Sequence, residues 1–227
     1  KVENQASDTV KLNELGRFVE LAGGVGLNAT TSSEATKYFY SFPSNKLELW
    51  MSLESERFLN PELRREFFKE KKVILEERRM RVDNSPIGQM IENFNDTAFD
   101  KHPYKRPVIG YDEDIRNLTT EDVQQFFETY YVPSNLTAAV VGDVNAAEVK
   151  KLAEVYFGRY EAKPKPEQKL AVEPKQTQEK EFTLNLPSQP WYLEGYHRPS
   201  LNDSDNAVYD IIGSLLSDGR TSRLYKS

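Results

Sequence analysis

With 227 residues the chain is long enough for one large domain or two smaller ones with a sizeable core. Its formal charge of −6 comes from 36 acidic and 30 basic residues of interspersed sign, so no basic stripe exists to neutralise a nucleic-acid backbone. Cysteine is absent, which excludes disulfides and thiolate metal sites, and no apolar run approaches the ~20 residues that span a bilayer.

The apolar residues, 38% of the total, cluster in periodic runs, which argues for a folded chain. The opening KVENQASD is not a signal peptide and lacks an initiator Met, so a targeting segment upstream of Lys1 is left open. Bacterial cytoplasm, periplasm and an organelle all stay compatible with this composition.

Residues 6–21 place Leu12, Leu15 and Val19 on one helical stripe, with Gly16 inside it and Gly23 and Gly24 ending it. From Leu27 to Tyr40 the chain reads as two short strands around a polar turn. Pro43 stops the second strand, and Ser44 is expected to cap a helix through LELWMSLESERF. Asn60 as N-cap and Pro61 as first helical residue predict a helix from Pro61 to about Val82, followed by another from Ile87 to about Ala98. Thr119 with Asp122 is a cap pair, as is Asn145 with Glu148, and that last helix should end at Gly158.

The apolar run 136–142 (LTAAVVG) reads as a buried strand. Residues 161–181, with three prolines and many charges, read as a linker. Beyond it, Phe182, Leu184 and Leu186 alternate like a strand, Trp191–Gly195 could form another, and a helix should run from about Asp205 to Leu216.

The helix opening at Pro61 carries Glu70 and Glu77, seven residues apart and therefore projecting from similar sides. Two carboxylates with fixed approach vectors suit metal ligation; from composition alone a solvated charged face with helical Glu–Lys and Glu–Arg pairs is the preferred explanation. A zinc peptidase also needs neutral imidazoles, an open coordination position and a general base. The chain has two histidines, His102 and His197, and neither lies in H-E-x-x-H or H-x-x-E-H, so each reads as a structural or surface residue. Gly142-Asp143 is no nucleotide-binding turn, since G-x-G-x-x-G is absent.

A longer pattern narrows these alternatives. Residues Glu70-Lys71-Lys72-Val73-Ile74-Leu75-Glu76-Glu77 follow E-x-x-V-x-x-x-E. Upstream lie Gly23-Gly24, Asn28-Ala29, Thr31, Glu34, Thr36 and Tyr38. Downstream come His102-Pro103-Tyr104, Pro107, Gly110, Tyr130-Tyr131-Val132-Pro133-Ser134-Asn135, Val140-Val141-Gly142-Asp143 and Tyr156-Phe157-Gly158. Gly195-Tyr196-His197-Arg198-Pro199 and Gly219-Arg220-Thr221-Ser222-Arg223-Leu224 complete the series. In this order the chain resembles the pitrilysin, insulin-degrading enzyme and mitochondrial processing peptidase family of inverzincin zinc peptidases, with Glu34 where aspartate is more usual.

The resemblance implies an α+β fold, with helices packed on a mostly antiparallel sheet and a second, similar domain that is truncated. It divides the chain into a first domain over 1–163, a linker over 164–180 and the start of a second domain over 181–227. It makes Glu77 the third zinc ligand, Glu70 a supporting acid, and Asn28 and Ala29 the strand edge that pairs with substrate backbone. The family's H-x-x-E-H helix, with two histidine ligands and the glutamate base, is expected upstream of Lys1. The chain alone is then expected to be inactive and not to bind zinc tightly. The implied substrate is a peptide or unfolded polypeptide, and the implied partner is a C-terminal half or subunit of the same family. The alternative within the family is a non-catalytic partner or structural subunit.

Overall fold

A computed structural model describes residues 13–59, 61–63 and 66–226. The first helix, α1 (Glu14–Leu21), buries Gly16 and Val19; the part of the expected helix over residues 6–12, with Leu12, lies outside the described residues. The helix closes as expected: Ala22 and Gly23 donate to the carbonyls of Phe18 and Glu20, Gly24 donates to Val19, and Gly23 takes φ +84. That left-handed geometry favours glycine at a helix C-terminus.

Strands β1 (Val25–Thr31) and β2 (Thr36–Ser41) form an antiparallel hairpin, with Asn28 opposite Phe39 and Ala29 opposite Tyr38. A bulge between Val25 and Asn28 holds Gly26 at φ +69. Ser44 opens a short 3-10 turn (Ser44–Lys46) and makes no side-chain cap, after which α2 (Leu47–Leu59) begins. Met51, 1% exposed, packs at the centre of this helix. Trp50 meets Phe157 at 6.3 Å, joining α2 to α7 (Ala146–Phe157).

The helix expected from Pro61 starts later, as α3 (Phe67–Arg78); Pro61–Leu63 are not helical, and Asn60 lies outside the described residues. Proline at a permissible position does not force nucleation; the buried Phe67 anchors the first turn instead. A π-helical turn (Arg79–Asp83) extends α3 and turns the chain into α4 (Pro86–Ala98), whose N-cap Ser85 accepts from Gly88 N–H.

Gly88 is required by close approach: a Cβ there would stand 1.9 Å from the Arg81 carbonyl oxygen. Helix propensity alone would make G88A stabilising by about 1 kcal/mol. Backbone-on-backbone overlap reverses that sign, and G88A should destabilise by about 1–3 kcal/mol. The urea midpoint checks this, with a rise in stability counting against the contact.

Next come α5 (Asp112–Asn117) and α6 (Thr120–Tyr130); the Thr119–Asp122 pair forms a full capping box, and Asn145 caps α7 through the amides of Ala147 and Glu148. The run 136–142 is not the buried strand expected. It alternates, with Ala138 and Val140 lining a cleft beside Trp50 and Phe157 while Val141 is 94% exposed, but it joins no ladder among the described residues. Apolar alternation makes a strand only where a neighbour supplies backbone partners. The expected strands at 182–186 and 191–195 likewise show no ladder among the described residues. Helices α8 (Asn206–Ser217) and α9 (Arg223–Lys226) complete the chain.

Two compact units emerge, Lys1–Leu186 and Pro187–Ser227. Residues 117–186 belong with the first because they fold back on it. Arg159 donates to Glu56 at 2.6 Å and to Ser55 Oγ at 2.9 Å, and the Tyr160 hydroxyl donates to the Ser55 carbonyl at 2.6 Å. Among the described residues no helix is long and apolar enough to cross a membrane.

Candidate functional site

The packed stripe of α3 is Phe67, Lys71 and Arg78, at helical spacing. The Lys71 ammonium donates to the carbonyls of Arg116 (2.6 Å) and Leu118 (2.8 Å), satisfying the C-terminal end of α5. Arg78 is buried and forks onto Glu92 of α4 with bonds of 2.7 and 2.9 Å, while Nη1 also donates to the Gly110 carbonyl at 2.7 Å. The Glu92 hydrogen bonds and charge raise the guanidinium pKa against the opposing effect of burial, so the Arg78 side chain stays charged. One helix face is thereby clamped to both neighbours.

The adjoining face carries Glu70, Val73, Ile74 and Glu77 and is open, with Glu77 38% exposed at its side chain. Glu77 pairs with Arg81 at 3.0 Å across the π turn. An exposed pair of this kind is worth about 0–1 kcal/mol, so its carboxylate is available to a stronger ligand. Glu70 occupies the first turn of α3, where the helix N-terminus favours negative charge. Among the described residues no three His, Cys, Asp or Glu side chains converge as a metal site. Glu70 and Glu77 thus share an open face of α3, and two carboxylates seven residues apart are not by themselves a catalytic zinc site.

Asn28 and Ala29 lie on β1, and its edge away from β2 has no strand beside it among the described residues. The Ala29 N–H donates to the Asn28 side-chain oxygen at 2.8 Å. Behind the hairpin, Tyr38 is edge-on to Phe58, bonded to the Tyr131 hydroxyl at 2.7 Å and overlaid by Arg57 at 4.3 Å. Tyr40 donates to the buried Glu54 at 2.8 Å, and Arg57 completes that carboxylate at 2.6 Å. Burial first, then the Tyr131 hydrogen bond at Tyr38 and the Glu54 charge at Tyr40, drive both phenol pKa values upward. Both tyrosines stay neutral and hold β2 against α2.

His102 serves structure. Its Nδ1 accepts from Tyr104 N–H at 3.2 Å at the start of a 3-10 turn (Pro103–Lys105), and its ring lies 4.3 Å from that of Tyr104. His197 is exposed in the Pro187–Ser227 unit.

Sequence reasoning missed Glu173. Its carboxylate accepts from the backbone amides of Asp100 (2.7 Å), Lys101 (2.9 Å) and His102 (2.8 Å), 71 to 73 positions away. No local signal could reveal that pairing. Desolvation raises its pKa, but the three amides and Lys180 outweigh it and carry the value down to about 2. Because the folded value lies below the ordinary 4.5, this clasp contributes fully above pH 4.5 and is lost as pH falls through about 2. A carboxyl-carbon NMR titration of Glu173 should show that low midpoint, and one near 4.5 would mean the clasp does not hold in solution.

These features meet a family pattern. Residues 4–112 match the model for Insulinase (Peptidase family M16), and residues 117–227 match the Peptidase M16 inactive domain. The zinc protease PqqE of Helicobacter pylori is 34% identical over 228 residues, covering 97% of this chain and 50% of that protein. A probable mitochondrial-processing peptidase subunit beta of Schizosaccharomyces pombe is 31% identical over 61% of the chain and 30% of that protein. Among solved structures, a protease from Helicobacter pylori superposes with a TM-score of 0.78 at 31% identity, over 99% of this chain and 56% of that one. The first half of the periplasmic protease PqqL from Escherichia coli shares the fold, with a TM-score of 0.62 at 24% identity over 77% of this chain and 39% of that one. The chain thus spans half or less of the length of these curated relatives. Its mixed α+β architecture, its two matched modules and these relatives place the chain in the insulinase family of zinc metallopeptidases, peptidase family M16.

Proposed function

We propose that this chain is part of a zinc-dependent endopeptidase in which Glu77 supplies one metal ligand. The observation that carries this reading is the position of Glu77: on an open face of α3, held by a weak exposed ion pair, while Lys71 and Arg78 clamp the adjoining stripe. Glu70 stands seven residues earlier on the same face, about 10 Å along the axis, so it supports the site rather than sharing the ion. The two histidine ligands and the glutamate base would come from an H-x-x-E-H segment outside this sequence. Zinc, when bound, would polarise a peptide carbonyl and activate water. The β1 edge at Asn28 and Ala29 would pair with the backbone of an extended peptide, a mode with little sequence demand. Such a peptide or unfolded segment would be enclosed with the help of a C-terminal half or partner subunit of the same family. Residues 1–163 would form the first module, 164–180 a connection, and 181–227 the start of the second.

Isothermal titration of this chain with zinc should reveal no tight stoichiometric site. The full-length protein should bind one zinc and cleave an unfolded peptide in a chelator-sensitive reaction. A full-length protein without either property supports a second reading, a non-catalytic partner subunit.

A further inference from the structure

The segment 97–104 is where three separate parts of the first unit are tied together. On one side the Glu173 carboxylate gathers the amides of Asp100, Lys101 and His102, while Lys180 donates to the Thr97 carbonyl at 3.1 Å and the Asp100 carboxylate at 2.8 Å. Two residues of the irregular segment 161–186 are therefore fastened just beyond the C-terminal end of α4. On the other side the Tyr104 hydroxyl donates to Glu34, at the tip of the β1–β2 hairpin. Between these two ends the connection is stiff. His102 Nδ1 accepts from Tyr104 N–H, the two rings stand 4.3 Å apart, and Phe99 packs edge-on to Tyr104 at 5.7 Å. The hairpin tip is rigid as well: Ser32 Oγ accepts from the amides of Glu34 (3.3 Å) and Ala35 (3.2 Å), and Ser32 N–H donates to the Ala35 carbonyl at 2.9 Å. Only the Thr31–Thr36 and Thr30–Lys37 pairs separate that tip from Ala29.

We propose that Glu173 is a positioning residue for the β1 edge, acting through the His102–Tyr104 turn and Glu34 to set the hairpin that carries Asn28 and Ala29. The irregular segment is then a strut whose attachment holds the hairpin in place. That the edge receives a peptide rests on the function proposed above; the mechanical coupling does not.

Hydrogen exchange on the full-length protein tests the coupling without any assay of activity. E173Q keeps the shape but removes the charge, and should speed exchange at 99–104 about tenfold, with faster exchange spreading to 29–38. Y104F should speed exchange in the hairpin while leaving the 100–102 amides at their original rate. E173D, which keeps the charge, should restore most of the protection. Unchanged exchange over 29–38 in E173Q would overturn the proposal and leave Glu173 a local staple. If E173Q loosened the whole chain, Y104F would decide, and unchanged hairpin exchange in that variant would equally overturn it. In peptide hydrolysis E173Q should raise KM about threefold to tenfold with kcat within about twofold, the pattern of weakened uniform binding. Absence of hydrolysis in the unmodified protein would count against the peptidase reading, while the exchange result would still decide the coupling.

Discussion

Replacing Glu77 by glutamine in the full-length protein is expected to cut both zinc affinity and peptide hydrolysis on the order of a thousandfold. Zinc-binding free energies of about 10–16 kcal/mol, shared over three or four ligands, amount to about 3–5 kcal/mol for each. Glutamine keeps the volume and helix propensity of glutamate but gives up the charge the ion requires. Little else should change, because among the described residues Glu77 makes an exposed pair with Arg81, worth less than about 1 kcal/mol. E70Q should cost less, about 10–100-fold, since it would remove support for the ligand rather than the ligand itself. Metal analysis and a competing chromophoric chelator measure zinc binding, and a fluorogenic peptide measures hydrolysis. An E77Q protein within a few-fold of the original would remove Glu77 from the metal site.

The parts of this fold that were legible in the sequence are those decided within a few residues. Thr119 and Asp122 form their capping box, Asn145 caps α7, and Gly23 ends α1 because the groups involved are chain neighbours. The same local logic failed at Pro61, where a favourable helix start is left unused and α3 waits for Phe67, which has a core to enter. It failed again over 136–142, where the alternation of Ala138, Val140 and Val141 is present but no ladder partner is found among the described residues. Glu70 and Glu77 could be placed on one helix face by spacing alone. What clamps that helix could not. Arg78 finds Glu92 fourteen residues away and Gly110 thirty-two away, and Glu173 reaches back across 71 to 73 residues. Pairings at that range are products of tertiary packing, and the residue types involved are otherwise ordinary surface charges. The segment 164–180 has the composition of a spacer, and its Glu173 and Lys180 are fastened to residues 97–102 by contacts no local pattern announces.

The Arg78–Glu92 pair carries the second large effect. Arg78 is 6% exposed, so E92A would leave its guanidinium with the Gly110 carbonyl and the Asp83 carboxylate at 3.5 Å but without its bidentate partner, and R78A would deprive the half-buried Glu92 carboxylate of its counter-charge. Breaking one side of such a pair costs about 3–5 kcal/mol. For a chain of this length that corresponds to a fall in Tm of roughly 6–20 °C. The double replacement R78M/E92L removes both charges at once and should cost less than either single change. It should still cost about 1–3 kcal/mol, because the Gly110 carbonyl loses its donor. Urea unfolding of R78M, E92L and R78M/E92L with an unchanged m-value measures each corner of that cycle. A double variant as unstable as the sum of the singles would show that the charges do not act as a pair. The site feels the same contact, since Arg78 follows Glu77 and fixes α3 against α4 at the π turn. E92A should therefore lower zinc affinity about 10–100-fold along with stability, as loss of a supporting contact does. E77Q should lower zinc affinity further and leave the unfolding midpoint of the metal-free protein unchanged, which separates the loss of a ligand from the loss of the scaffold that aims it.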